Sequence, residues 1–279
     1  MSERDVLRLP NPFQSEKDGE GVVRRGLDLR RPECPACHKA LPRVPERKTA
    51  CANCGEFIFI RTRACDNARV VVTAQEAERI ERDWKLLAGA REPAFRYLVN
   101  EAEAEAERER LKREFVLKGV TGPSDDDVRW GLLVERASRY ATEGNLGLSR
   151  NMYLSMADFL TRRWKLAEAL QQYLFVCALD INGAQNRGGV SRETLREFPL
   201  FDPRLASLAP VVVNQVRMIG RKLEMATEDI QARFLDVASE SRFPVSPQKA
   251  WLAMASALSG QIDLNDQPSC FERIRSLLN

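Results

Sequence analysis

The sequence predicts an α+β protein that is mainly helical, with a small β module in its N-terminal part. Three patterns support this fold class. From residue 125 onward, apolar side chains recur at helical spacing between breaks rich in glycine and proline. Residues 57–63 are instead rich in aromatic, β-branched and alternating side chains, as strands are. Two C-x-x-C pairs, at 34–37 and 51–54, predict a small module held by a metal ion.

These patterns divide the chain into four predicted regions. Residues 1–31 lack hydrophobic periodicity and predict a flexible arm. Residues 32–72 form the cysteine module, residues 73–120 a charged helical connector, and residues 121–279 an α-helical domain. The glycine- and proline-rich stretch 182–203 leaves open whether that last region is one domain or two.

Composition predicts a soluble protein that does not insert in a membrane. Of the 279 residues, 44% are hydrophobic and 30% are charged, which is ordinary for a globular chain. No stretch approaches the roughly 18 apolar residues of a membrane span. The first 14 residues have no apolar segment of the kind found in secretory signals, so we expect a cytoplasmic location.

The predicted connector contains two helices of different character. A capping box at Thr73–Glu76 starts the first, which should run to about Ala88. The second should run from Pro93 to about Lys118, and its residues 101–114 include six Glu and four Arg or Lys. A helix this polar predicts a solvent-bridging spacer. The alternative is a helix that lies on the domain or frays.

The C-terminal region predicts further helices, each bounded by glycine, asparagine or proline. Their expected spans are 125–143, 149–163, 165–181, 205–222, 226–239, 246–259 and 269–278. The first begins with Asp125-Asp126-Asp127, where acidic side chains favour the positive end of a helix. We interpret these acids as helix caps rather than as a magnesium site.

The strongest motif is the cysteine pattern itself. Cys34 and Cys37 are followed, after thirteen residues, by Cys51 and Cys54. Two residues between cysteines allow one tight turn to direct both sulfurs at the same ion, and two such turns supply the tetrahedral thiolate set that Zn²⁺ favours. Because four protein ligands fill that shell, we expect one structural Zn²⁺. Iron in a rubredoxin-like site and redox-active dithiols are the alternatives.

The motifs C-P-A-C and C-A-N-C-G resemble the knuckles of the zinc-ribbon family, and residues 57–63 fit the strand after the second knuckle. The resemblance covers about 32–72. It is also similar to ribbons of bacterial and phage proteins whose function is not known. Cys65, Cys177, Cys270 and the single histidine, His38, are not expected to bind the ion.

Positive charge is concentrated around this module. Residues 24–72 contain eleven Arg or Lys against five Asp or Glu, a local net charge of +6 in a chain of +3. Strand alternation places two phenylalanines and two arginines on one face, which could stack bases and bind phosphates. The candidate nucleic-acid contacts are Arg43, Arg47, Lys48, Phe57, Phe59, Arg61 and Arg63. The alternative is that the phenylalanines pack in the module and the arginines are only solvated.

One predicted hairpin, at about 150–181, has a recognisable pattern. Large apolar residues surround Ala157 and Ala169, which would let two antiparallel helices pack closely. This resembles a single tetratricopeptide repeat, although Arg162-Arg163 stands where that family usually has a glycine. The resemblance implies a protein-binding surface, with the candidates Tyr153, Leu160 and Tyr173. A generic hairpin in an irregular bundle is the alternative.

No catalytic motif accompanies these features. The sequence has no H-E-x-x-H, no G-x-S-x-G and no phosphate-binding loop, and one histidine leaves few routes to a catalytic triad. We therefore expect a non-enzymatic adaptor that docks a protein partner through its helical domain. The alternatives are a nucleic-acid-associated accessory factor that uses the cysteine module, and an enzyme subunit without its own active site.

Overall fold

The computed structural model describes residues 33–43, 45–90, 101–117, 122–186, 200–241 and 243–260, together with Ile274 and Ser276. The protein is mainly helical with one small antiparallel sheet, which confirms the predicted fold class. The sheet and the first helix, up to Gly89, form one compact unit, and the later helices form a second. Within the described residues, no helix combines the length and apolar composition that a membrane span requires.

The first unit, which we call the cysteine module, is built on three strands. They are β1 (Thr49–Ala50), β2 (Phe57–Thr62) and β3 (Arg69–Val72), arranged in the order β1-β2-β3. Both pairings are antiparallel, with Thr49 opposite Ile58 and Phe59 opposite Val72. The central strand is therefore the one predicted from residues 57–63.

Both faces of this sheet are covered, because successive side chains of β2 point to opposite sides. On one side Ile58 packs with Val71 and with the two buried cysteines, Cys34 and Cys51. On the other side half-buried Phe59 packs against a cluster of Val70, Val72, Ala77 and Ile80. The last two belong to the helix that follows the sheet, so the turns that carry the cysteines cover one face and a helix covers the other.

That helix, α1 (Ala74–Gly89), begins at the predicted capping box. The Glu76 amide donates to the Thr73 hydroxyl at 3.3 Å, and the Thr73 amide donates to the Glu76 carboxylate at 3.0 Å. Further along, the Trp84 indole donates to the Thr62 carbonyl at 2.7 Å. Helix α1 is thus held to the sheet by apolar packing and by polar contacts at its far end.

The second unit, which we call the helical unit, contains seven described α-helices. They are α2 (Glu101–Leu117), α3 (Asp125–Thr142), α4 (Leu146–Arg162), α5 (Leu166–Ile181), α6 (Pro210–Lys222), α7 (Thr227–Ser239) and α8 (Pro247–Leu258). Most of the predicted boundaries lie within three residues of these. Helix α6 starts at Pro210 rather than at 205, since proline suits the first helical position and Pro203–Leu205 forms a separate short 3-10 helix. The predicted helix at 269–278 lies outside the described residues except for Ile274 and Ser276.

Helix α5 is the centre of the helical unit, and it packs against α4, α6, α7 and α8. Its side chains are buried on nearly all sides, including Leu170, Tyr173 and Leu174, each fully buried. A helix that is apolar all round is expected at the centre of a bundle. One buried polar pair joins it to α4, because the Tyr173 hydroxyl donates to the Asp158 carboxylate at 2.6 Å.

Helix α2 is the charged helix for which the sequence offered two alternatives. Its Leu111 and Phe115 are buried against Val128 and Leu132 of α3. Residues 101–117 therefore lie on a neighbouring helix and do not bridge solvent alone. This corrects the interpretation of the charged helix as a solvent-bridging spacer. The sequence analysis missed this contact because the two apolar positions that make it lie among many Glu and Arg side chains.

The turn between α4 and α5 has one unusual backbone position. Trp164 has a φ of 61°, in the left-handed region that ordinarily suits glycine. Its neighbour Lys165 donates from its amide to the Leu160 carbonyl at 2.9 Å, which closes the end of α4. This is the hairpin whose expected glycine the sequence lacks, and its tetratricopeptide character stays a prediction.

Candidate metal centre

Two turns of the same geometry carry the four cysteines. In the first, the His38 amide donates to the Cys34 carbonyl at 2.8 Å, and in the second the Gly55 amide donates to the Cys51 carbonyl at 2.9 Å. The residue after each second cysteine has a positive φ, 56° at His38 and 77° at Gly55. His38 therefore serves the turn in the position that glycine takes in the other one, which explains why a histidine there need not bind metal.

The turns bring the four sulfurs together in a compact cluster. The Cys34 and Cys54 sulfurs are 3.7 Å apart, the Cys37 and Cys51 sulfurs 3.9 Å apart, and all four lie within 4.8 Å of one another. A tetrahedron with zinc–sulfur bonds of about 2.3 Å has edges of about 3.8 Å. The cluster thus has the dimensions that a four-coordinate metal ion requires.

Hydrogen bonds orient the sulfurs. The Asn53 amide nitrogen lies 3.4 Å from the Cys51 sulfur, and the Asn53 side-chain nitrogen lies 3.4 Å from the Cys37 sulfur. Donors of this kind stabilise thiolate charge and fix ligand geometry around a metal. Asn53 is a supporting residue that the sequence analysis missed. Its place inside the second C-x-x-C pair, where a side chain can turn back to the cluster, was the available signal.

Without a metal, the thiols differ in acidity. A hydrogen bond from the Lys39 backbone, helped by Asn53 and the neighbouring thiols, lowers the pKa of Cys37 to about 6. The Glu56 backbone lowers the pKa of Cys54, but burial and the three other thiols outweigh it and raise that pKa to about 12. A metal ion that takes all four sulfurs as thiolates must therefore displace protons.

The cluster is distinct from the other cysteines. Among the described residues it is the one group of three or more potential ligands gathered closely enough to hold an ion. Cys65 lies outside it, and burial raises the pKa of its thiol. Cys177 is fully buried in α5, as expected for a core residue. Cys270 lies outside the described residues.

The face predicted to contact nucleic acid is only partly open. Arg61 forms an ion pair with Glu81 of α1 at 3.0 Å, Arg63 pairs with Asp66, and Phe59 is half-buried beside the helix. These three side chains therefore have partners within the module. Phe59 and Arg61 both contact α1, and strand alternation alone did not reveal that this helix lies over their face.

The remaining candidates lie at the end of the strand and in the loop before it. Phe57 is 56% exposed, and the Lys48 ammonium group lies 4.3 Å from the centre of its ring. The same ammonium lies 5.1 Å from the ring of Phe59. Arg43 and Arg47 are exposed in the loop that leads to Lys48. We call these four side chains the basic edge: Arg43, Arg47, Lys48 and Phe57.

The three residues predicted to form a protein-binding surface are inside the helical unit. Tyr153, Leu160 and Tyr173 are each at most 1% exposed. Because α5 is surrounded by four helices, the hairpin of α4 and α5 does not present these side chains to solvent. They belong to the core, and the prediction that they form a protein-binding surface needs correction.

The acidic stretch at the start of α3 has structural partners. Asp127 completes a capping box with Ser124, Asp125 pairs with Arg108 at 2.8 Å, and Asp126 pairs with Arg163 at 2.6 Å. These contacts favour the helix-capping interpretation over a magnesium site.

Comparisons with known proteins give no relative for this arrangement: no family model, no curated protein and no solved structure matches the chain. The function therefore has to be argued from the site itself.

Proposed function

We propose that the cysteine module binds one structural Zn²⁺ through Cys34, Cys37, Cys51 and Cys54, and that the protein is a non-enzymatic interaction protein. The observation that carries the zinc assignment is the sulfur cluster, whose edges of 3.7 and 3.9 Å fit a tetrahedral zinc site. Four protein thiolates complete the coordination, so the ion would hold the fold and leave no position for a substrate. Thiolate ligands of this kind persist in a reducing compartment, which supports a cytoplasmic location.

The test of this assignment is metal analysis of the purified full-length chain. We expect one zinc per chain by mass spectrometry of the metal content, with iron below stoichiometric amounts. Cys51→Ser should lose the ion, whereas Cys65→Ser should keep it because Cys65 lies outside the cluster. Iron at full stoichiometry, or zinc retained in Cys51→Ser, would contradict the assignment.

We propose further that the helical unit docks a protein partner. This proposal is supported by the compact bundle around α5, on which large apolar side chains such as Leu205 and Leu252 are more than half exposed. Since Tyr153, Leu160 and Tyr173 are buried, docking must use outward-facing residues of the unit. Affinity capture with the full chain, before and after nuclease treatment, tests this role. Capture of a partner that is lost with nuclease would contradict direct protein docking.

A second candidate function is nucleic-acid binding at the basic edge. The observation that favours it is the exposed ring of Phe57 with the Lys48 ammonium 4.3 Å from its centre. An exposed aromatic ring beside cations is the arrangement that stacks single-stranded bases and binds their phosphates. Arg61 and Arg63 are not part of this candidate surface, because both are ion-paired within the module.

Binding of a fluorescent oligonucleotide tests this candidate. We expect the affinity of the full chain to fall as salt rises, and Lys48→Glu with Arg47→Glu to abolish binding. Arg79→Glu with Lys85→Glu, the same number of charge reversals at exposed positions on α1, is the matched control and should bind like the natural chain. Equal binding by the two double variants would remove this candidate.

A further inference from the structure

Helix α2 rests on α3 through contacts that run antiparallel. Near the start of α2, the Glu103 carboxylate accepts a hydrogen bond from Arg136 at 2.6 Å. One turn later Glu107 lies over Gly131, where an added Cβ would be 1.9 Å from its carboxylate oxygen. Leu111 and Phe115 then pack with Val128 and Leu132. Residue numbers rise along α2 as they fall along α3, so this is a docked pair of helices with a fixed register.

The surface that α3 presents has the composition of a helix-binding site. Val128, Gly131, Leu132 and Arg136 follow one another at intervals of three, one and four residues, which places them on one stripe of the helix. We call these four residues the α3 face. It offers two apolar side chains, a notch at a glycine, and an arginine that is 9% exposed when paired. Apolar anchors beside a desolvated arginine are typical of protein-binding hot spots.

The large apolar side chains that α2 buries on this face, among the described residues, are Leu111 and Phe115, with half-buried Ala104 beside them. The cross-helix ion pair of Arg108 with Asp125 has side chains 33% and 79% exposed. Exposed pairs of this kind add little stability. Pairs within α2, such as Glu105 with Arg108 at 2.8 Å, support the helix itself without tying it to α3.

We propose that the α3 face is a binding site for an acidic amphipathic helix of a partner protein, and that α2 is the segment of this chain that occupies it until the partner replaces it. The inference rests on the proposed docking function and names the site and the partner. The partner helix should carry an acid that reaches Arg136, a second acid or small residue over Gly131, and two apolar residues four positions apart. Helix α2 shows each of these features in Glu103, Glu107, Leu111 and Phe115.

A synthetic peptide of residues 101–117 serves as the probe, with the full-length chain as receptor. In the natural chain its own α2 competes for the face. Glu103→Arg in the chain places like charges at Arg136 and should release α2. The apparent affinity for the peptide should then rise by about tenfold or more, because it scales with the fraction of chains whose site is free. Glu101→Arg, the same charge change at an exposed position two residues away, is the matched control and should bind like the natural chain.

A second measurement uses the natural chain, so that it does not depend on the folding of a variant. Excess unlabelled peptide is added to the ¹⁵N-labelled chain, and amide hydrogen exchange is followed by NMR. We expect exchange to accelerate in α2 while α3 stays protected, because the peptide takes the place of α2. Peptide binding without accelerated exchange in α2, or no peptide binding to the Glu103→Arg chain, would overturn the proposal.

A further variant separates this proposal from the wider docking function. Arg136→Glu removes the group that receives the acidic residue, so it should abolish peptide binding and weaken capture of a partner. A partner captured equally by the natural chain, Glu103→Arg and Arg136→Glu would preserve the docking function and exclude the α3 face as its site. If none of these chains captures a protein, although the peptide still takes the place of α2, the docking function is contradicted instead.

Discussion

The cysteine module and the helical unit are stabilised in different ways. In the module, the described residues include two separate clusters of four buried side chains, one on each face of the sheet. In the helical unit a central helix is buried on nearly all sides by four neighbours. Small modules bury too little apolar surface to fold on packing alone, and a bound metal ion supplies the missing stability. We therefore expect the module to depend on its metal and the helical unit to depend on its core.

The strongest test of this difference between the two units is to remove one metal-binding cysteine. Cys34→Ser should release the ion and unfold the module, because apparent zinc-binding free energies of about 10–16 kcal/mol are folding free energy in such modules. The helical signal of the second unit should remain. Metal content together with amide exchange over β2 and α5 measures both outcomes. Cys34→Ser with a protected β2 would show that the module folds on its two apolar clusters alone.

The reverse experiment targets the centre of the helical unit. Leu170 is fully buried in α5, so Leu170→Ala should lower the free energy of unfolding of that unit by about 2–5 kcal/mol. Leu205→Ala, at a side chain 52% exposed, should change it by less than about 0.5 kcal/mol. Denaturant unfolding followed by circular dichroism measures both. Zinc content should be unchanged in each variant, and loss of zinc in Leu170→Ala would contradict the independence of the two units.

Acid should affect the module before it affects the helical unit. Metal-bound cysteines are thiolates, whereas the free Cys54 thiol, with a pKa of about 12, is protonated near neutral pH. The metal-free state therefore binds more protons, and metal affinity falls as pH falls. Each proton released on binding weakens affinity by about tenfold, or roughly 1.4 kcal/mol, per pH unit.

Chelator competition at pH 8 and pH 6 measures this dependence directly. The helical unit should keep its circular dichroism over the same range, which provides the internal control. A metal affinity that does not change between the two pH values would exclude proton displacement at the cysteine cluster.

The smallest expected effect concerns α1 as a part of the module. Trp84→Phe removes the hydrogen bond from the indole to the Thr62 carbonyl and should destabilise the module by about 0.5–1.5 kcal/mol. Lys85→Gln, at an exposed position next to it, should have no measurable effect. Two measurements compare the metal-loaded chains: thermal unfolding and amide exchange in β2. Equal protection of β2 in both variants would mean that the far end of α1 does not stabilise the sheet.

Local signals in the sequence predicted the secondary structure well. The two C-x-x-C pairs located the sulfur cluster, Thr73 and Glu76 marked the start of α1, and glycine or proline bounded most helices of the second unit. These features succeed because capping, turn geometry and metal coordination depend on residues close together in the chain.

Tertiary contacts were predicted less well, for a physical reason. The alternation in β2 separates its two faces, but it does not say which helix will cover Phe59 and pair with Arg61. Likewise Tyr153 and Tyr173 follow an amphipathic pattern that suits an outer helix of a hairpin. Only the packing of α6, α7 and α8 around α5 shows that this hairpin is interior. Partners distant in sequence decide these outcomes, and a local pattern does not contain them.

The double covering of the sheet limits the size of any contact that the sheet itself can make. Of the sheet, a partner reaches the rim, such as the strand end at Phe57 and the loop at Arg47, whereas a typical stable complex buries about 800 Å² on each partner. A rim contact is therefore weak when it acts alone. Joined in one chain to a second binding surface on the same partner, it acts at a high effective concentration and contributes through avidity.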